Sequence, residues 1–133
     1  TTNGVKEVEP VNGCVGFLDS GMGGMSIVEY LARKLTKLRI FPDDEGRMNL
    51  SVKDIGGKLL LVPQFTLYGR TKKNRPSFHK ALAPDKATKL FDYFVEKCSE
   101  EVPCETGVFG AFMKVSLLNN GPVTICMDTK NKE

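Results

Sequence analysis

The sequence predicts an α+β fold in a single domain that spans residues 1–133. Two segments show the three- and four-residue apolar spacing of amphipathic helices, and several short apolar segments of strand length surround them without regular alternation. A hydrophobic content of 41% in 133 residues is sufficient for one core. These observations favour α+β over a doubly wound sheet.

Composition excludes several classes of protein. No apolar run approaches the roughly 20 residues of a membrane span, so we expect no membrane association. The formal charge of +3 is compatible with nucleic acid without requiring it. Four cysteines without a CxxC pair and a single histidine, His79, predict no metal site, with the cysteines as small buried residues. This cysteine usage favours a reducing compartment, the cytoplasm.

The N-terminal part begins with a polar stretch, followed by a predicted strand at residues 13–18, a glycine-rich turn at 19–24 and a helix at 25–38 with Ser26 as its N-cap. A glycine turn between a strand and a helix can bind an anion, but this one lacks the third glycine of a dinucleotide fingerprint and the Gly-Lys-Ser/Thr of a P-loop. It also resembles the DSGxGG loop of glutamate racemases, whose cysteine motifs have no match downstream. We therefore interpret it as a plain turn.

The remaining elements are predicted from apolar runs and turn residues. Pro84 is expected to begin the second helix, which ends near Glu100. The strands are expected at residues 39–41, 48–52, 59–62, 106–113, 114–118 and 123–127.

The segment of residues 59–78 passes from a buried strand to polar residues and then to a cationic loop. Pro63 cannot donate to a strand ladder, so the strand is expected to end, bulge or lie at an edge there. The next residues are Gln64, Phe65 and Thr66, whose backbone N–H groups can then point elsewhere. The cations that follow predict a solvated loop or a phosphate contact; they are Arg70, Lys72, Lys73 and Arg75.

Three motifs together closely resemble the signatures of the D-aminoacyl-tRNA deacylase family. The first is Gln64-Phe65-Thr66-Leu67, the second spans residues 70–78, and the third is Asn119-Asn120-Gly121-Pro122-Val123-Thr124. Supporting matches, among them Phe109 to Met113, extend the resemblance over residues 29–128.

The resemblance implies a homodimer with the site at the interface, a core of antiparallel or mixed β-sheets that is barrel-like, and two main helices. It implies hydrolysis of the ester that joins a D-amino acid, or glycine, to the terminal ribose of tRNA, as chiral proofreading without metal or cofactor. Gln64, Phe65 and Thr66 would form the catalytic wall, with backbone N–H groups of Phe65 and Thr66 as oxyanion donors. Sequence leaves open whether Thr66 acts as a nucleophile or only lines the pocket.

Further roles follow from the same resemblance. Gly121 and Pro122 would form a cis pair that reaches into the partner's site and excludes an L side chain. The other residues assigned to substrate binding are Pro63, Phe109 and Met113, and the cations Arg70, Lys72, Lys73 and Arg75 would contact tRNA.

Two features depart from the family pattern. Pro63 stands where the family usually has Ser, and a proline there resembles the related deacylase that removes L-alanine from mischarged tRNA. The family's first strand, with its Gln-Arg pair, has no match in this sequence. The alternatives are therefore the L-alanine deacylase and a non-catalytic module that binds tRNA or DNA.

Overall fold

The computed structural model describes residues 13–18, 24–79, 83–119 and 123–129. Its elements are β1 (Gly13–Leu18), α1 (Met25–Lys37), β2 (Phe41–Pro42), β3 (Met48–Leu50), β4 (Lys58–Pro63), α2 (Pro84–Ser99) and β5 (Cys104–Thr106). A single turn of 3₁₀ helix, Phe65–Tyr68, follows β4. Two helices with small sheets confirm the predicted α+β mixture.

β4 is the central strand of the larger sheet, which has the order β1-β4-β5. Both neighbours run parallel to β4, whereas β2 and β3 form a separate antiparallel pair. Parallel pairing follows from the connections, since α1 lies between β1 and β4 and α2 lies between β4 and β5. The larger sheet is therefore purely parallel, contrary to the expected antiparallel or mixed sheets, and only the β2-β3 pair is antiparallel. The barrel-like core is not found among the described strands, because β1 and β5 lie on opposite sides of β4 and do not pair with each other.

Both helices begin close to the predicted residues. Pro84 is the first residue of α2, where its missing N–H leaves no helical hydrogen bond unmade. The predicted cap at Ser26 is wrong, because Gly24 in extended conformation is the N-cap of α1 and no side chain caps the helix. No helix in the described part of the chain is long and apolar enough to cross a membrane.

The core lies between the two helices and one face of β4. Leu59 and Leu61 of β4 pack in one cluster with Val28 of α1 and with Phe91 and Phe94 of α2. Alternate residues of a strand point to the same face, which explains why Leu59 and Leu61 share this cluster. β4, which leads into the segment predicted to be catalytic, is therefore anchored in a packed core.

The cysteines differ in their surroundings. Cys98 is fully buried in the core, and this burial raises the pKa of its thiol to about 12. Burial also raises the pKa of the half-buried Cys104 thiol. Neither thiol is a ready nucleophile at neutral pH, since the reactive form is the thiolate. The expectation of burial is wrong for Cys126, which is exposed.

The three strands predicted after α2 are largely absent. The structure has only β5 there, and residues 107–119 and 123–128 contain no regular strand. A strand requires a neighbour that completes its backbone hydrogen bonds, and no described strand forms a ladder with these segments. Several of their apolar side chains consequently face outward, and Phe112 and Leu118 are 92% and 91% exposed.

Candidate active site

β4 ends at Pro63, and the chain then passes into the segment predicted to be catalytic. Gln64 is extended, with φ −148° and ψ 91°, and it precedes the 3₁₀ turn. The first internal hydrogen bond of the turn runs from the Leu67 N–H to the Gln64 carbonyl, at 3.4 Å. The N–H groups of Phe65 and Thr66 precede this bond, so the turn itself does not use them.

The Thr66 hydroxyl lies beside a neutral partner. The Gln64 side-chain amide donates a hydrogen bond to Thr66 Oγ1, and both residues are half-buried. An amide cannot take up the hydroxyl proton, whereas a nucleophilic hydroxyl requires an adjacent base. The arrangement favours Thr66 as a lining residue.

A short cationic hairpin, residues 70–77, follows the turn. Arg70 and Ser77 exchange both backbone hydrogen bonds across its base, at 2.8 and 3.0 Å. Lys72, Lys73 and Arg75 are exposed between them, and among the described residues no carboxylate forms an ion pair with these cations. The hairpin therefore presents concentrated, uncompensated positive charge next to the turn.

An aromatic contact joins the hairpin to the turn. The rings of Phe65 and Phe78 lie edge to face, with centroids 5.5 Å apart and planes at 81°. Gly69 allows this approach, because a Cβ at that position would lie 2.7 Å from Phe78 Cε1. The hairpin is thus packed against the segment that carries the predicted catalytic residues.

Pro63 and Met113 lie close together on either side of Gly107. The Gly107 N–H donates to the Leu61 carbonyl at 2.8 Å, which holds this segment beside β4. A Cβ on Gly107 would lie 2.8 Å from Met113 Sδ and 3.5 Å from Pro63 Cδ. Glycine thus leaves room for the Met113 side chain where these two predicted substrate-binding residues meet.

Phe109, the other predicted substrate-binding residue of this region, lines an open groove of about 470 Å³ between α2 and the end of β5. The remaining lining residues are Thr88, Phe91, Asp92, Val95, Thr106, Gly107 and Val108. Sequence reasoning missed this groove because it forms only where the chain after β5 folds back along one face of α2.

Gly121 and Pro122 lie outside the described residues, so their predicted role stays a prediction. Sequence reasoning also assigned no role to Gly69, Phe78 or Gly107. Gly69, which stands between Tyr68 and the cations, was the available signal for the first of them. Within the described ranges, no group of three or more His, Cys, Asp or Glu could hold a metal ion.

Similarity to known proteins identifies the family of this chain. The family model of D-Tyr-tRNA(Tyr) deacylase matches residues 16–128. A solved structure named c-Myc DNA Unwinding Element Binding Protein has 36% sequence identity and a TM-score of 0.70, and the match covers 77% of this chain and 71% of that one. A second, titled as a probable eukaryotic D-amino acid tRNA deacylase, has 19% identity and a TM-score of 0.55, with 67% of each chain covered, and is similar in fold.

Proposed function

This chain belongs to the D-Tyr-tRNA(Tyr) deacylase family and is a hydrolase of D-aminoacyl-tRNA, and we propose that it cleaves the ester at the 3₁₀ turn after β4. One observation carries the placement: Phe65 and Thr66 have backbone N–H groups that the turn does not use. The biological role we propose is chiral proofreading in the cytoplasm, with glycyl-tRNA as a further substrate.

The reaction makes modest demands on the protein. Water attacks the carbonyl carbon, the carbonyl oxygen becomes an oxyanion, and the ester bond to the ribose then breaks to give the free amino acid and tRNA. Two backbone donors aimed at the oxyanion would stabilise this transition state, and a pocket that orients the ester would supply much of the rest. The terminal ribose hydroxyl would assist the water, which fits a turn whose only threonine has a neutral partner.

We further propose a homodimer in which Gly121 and Pro122 of one subunit reach the turn of the other. Exposed apolar side chains of the C-terminal segments support it, including Phe112, Leu118 and Ile125. Such segments gain a neighbour when a second copy pairs with them, and this pairing would complete the barrel-like core. Sedimentation of the purified chain at micromolar concentration should give twice the chain mass, and a monomer would contradict this part of the proposal.

Chirality of the released amino acid tests the proposed function. We expect the protein to release D-tyrosine from D-tyrosyl-tRNA and to leave L-tyrosyl-tRNA acylated, because an L side chain would collide with the Gly121 and Pro122 backbone. Acid-precipitable label measures the remaining ester. A Leu60→Ala variant, altered in β4 but outside the turn, should keep the preference. Release of neither amino acid would overturn the proposal.

Two alternatives each have an observation in their favour. Pro63, packed beside Gly107 and Met113, favours an enzyme for L-alanine mischarged on tRNA, and release of L-alanine in preference to D-amino acids would support it. The cationic hairpin and the relative named for DNA binding favour a module that binds nucleic acid without catalysis. Salt-dependent tRNA binding without loss of the ester would support that module.

A further inference from the structure

We propose that Phe78 is a positioning residue that couples tRNA binding at the cationic hairpin to alignment of the ester at the 3₁₀ turn, an inference that rests on the proposed function. The turn and the hairpin are joined in sequence only through Gly69. Their relative orientation in space therefore depends on contacts beyond that one backbone link.

Among the described residues, Phe78 makes a side-chain contact that links the hairpin to the turn. Its ring contacts the Phe65 ring edge to face. It also lies so close to Gly69 that a Cβ on residue 69 would clash with the ring. Edge-to-face pairs have a preferred geometry as well as a favourable energy, so the ring fixes an angle and a distance. Phe78 also follows directly after Ser77, whose backbone pairs with Arg70 at the base of the hairpin. Its position thereby sets the direction of the whole hairpin.

The hairpin and the turn have different tasks toward a tRNA. The exposed cations Lys72, Lys73 and Arg75 can neutralise backbone phosphates of the single-stranded acceptor end, while the turn meets the ester at its terminus. A shift of about 1 Å between the two would leave both parts intact but would bind the ester out of line, and misplacement on this scale can cost roughly a hundredfold in rate. Phe78 therefore acts through placement and need not touch the substrate.

Two substrates separate this role from a structural one. D-Tyrosyl-tRNA reaches both the hairpin and the turn, whereas D-tyrosyl-adenosine carries the ester, ribose and base but no phosphate. We expect Phe78→Ala to lower kcat/KM for D-tyrosyl-tRNA about tenfold, largely through kcat because the ester is bound out of line, and to change kcat/KM for D-tyrosyl-adenosine less than about twofold. Phe78→Tyr keeps the ring and should restore the tRNA activity.

Further variants test the coupling. Lys72→Ala/Lys73→Ala should lower kcat/KM for D-tyrosyl-tRNA but not for D-tyrosyl-adenosine. When Phe78→Ala is added to this variant, the total loss in kcat/KM should be much smaller than the product of the two separate losses, because the hairpin no longer binds tRNA. The matched charge control is Lys86→Ala/Lys89→Ala on α2, which should be close to wild type.

The outcomes distinguish this inference from the function beneath it. If wild-type protein hydrolyses neither substrate, the proposed function fails. If wild type is active and Phe78→Ala loses the same factor on both substrates, or if its effect multiplies with that of the lysine variant, the coupling is contradicted and the ring only stabilises the turn. If Phe78→Ala loses activity on D-tyrosyl-tRNA only, and Phe78→Tyr restores it, the coupling is supported.

Discussion

A Phe65→Pro variant is expected to hydrolyse D-tyrosyl-tRNA with a kcat roughly a hundredfold below that of Phe65→Ala, since loss of one oxyanion donor typically costs that much. Proline removes the N–H at this position. The backbone tolerates the change, because Phe65 is the first residue of the turn and Gln64 is already extended, as a residue before proline prefers. Single-turnover kinetics at saturating enzyme measure the chemical step.

Phe65→Ala is the matched control for this experiment. Both variants lose the Phe65 ring and its contact with Phe78, so their ratio reports the N–H alone. Thermal unfolding of the two should agree closely, which would exclude a collapsed turn. Equal kcat values in the two folded variants would show that the Phe65 amide does not stabilise the oxyanion.

The second large effect is expected on stability. Leu61→Ala should lower the free energy of unfolding by about 3 kcal/mol, because it leaves a cavity between β4 and the two helices. Leu61 is 1% exposed, so the removed methyl groups lose nearly all of their packing. Urea denaturation followed by circular dichroism measures the change.

Leu60→Ala is the matched control, since it removes the same atoms from the neighbouring residue of the same strand. Leu60 lies on the opposite face and is only half-buried, so a distinctly smaller loss is expected. If both variants lost the same free energy, the assignment of Leu61 to the packed face would be wrong.

Local sequence patterns predicted the elements that local physics determines. The apolar spacing of residues 25–38 and the proline at position 84 placed both helices within a residue or two, since each helix buries one face. The apolar run at residues 59–62 likewise predicted β4, which is flanked by a strand on each side. Pro63 correctly marked the end of that strand.

The predictions that failed concern strand pairing, which depends on segments elsewhere in the chain. The parallel direction of β1 and β5 is set by the crossovers through α1 and α2, and the sequence was interpreted without connecting them. The apolar runs at residues 114–118 and 123–127 have the composition of strands but have no described neighbour to pair with. An apolar, β-branched composition favours a strand, but a strand forms only where a second strand lies beside it.

At the candidate site, contiguous motifs could likewise be predicted from the sequence, whereas contacts between separate segments could not. The residues Gln64 to Thr66 and the hairpin cations could be predicted as site residues because their motifs are contiguous in sequence. The contact of Phe65 with Phe78, and the approach of Met113 and Pro63 to Gly107, join residues distant in sequence, so only the folded chain reveals them. Gly121 and Pro122 stay predictions from the family resemblance.

Direct competition between enantiomers is the measurement that tests the central claim. D-tyrosyl-tRNA and L-tyrosyl-tRNA with distinguishable labels are mixed in one reaction, and the ratio of their kcat/KM values is read from the residual ester of each. The account predicts a preference for the D form of at least about a hundredfold, because the proposed Gly121-Pro122 contact would exclude an L side chain. Equal loss of both esters, or faster loss of the L form, would contradict it.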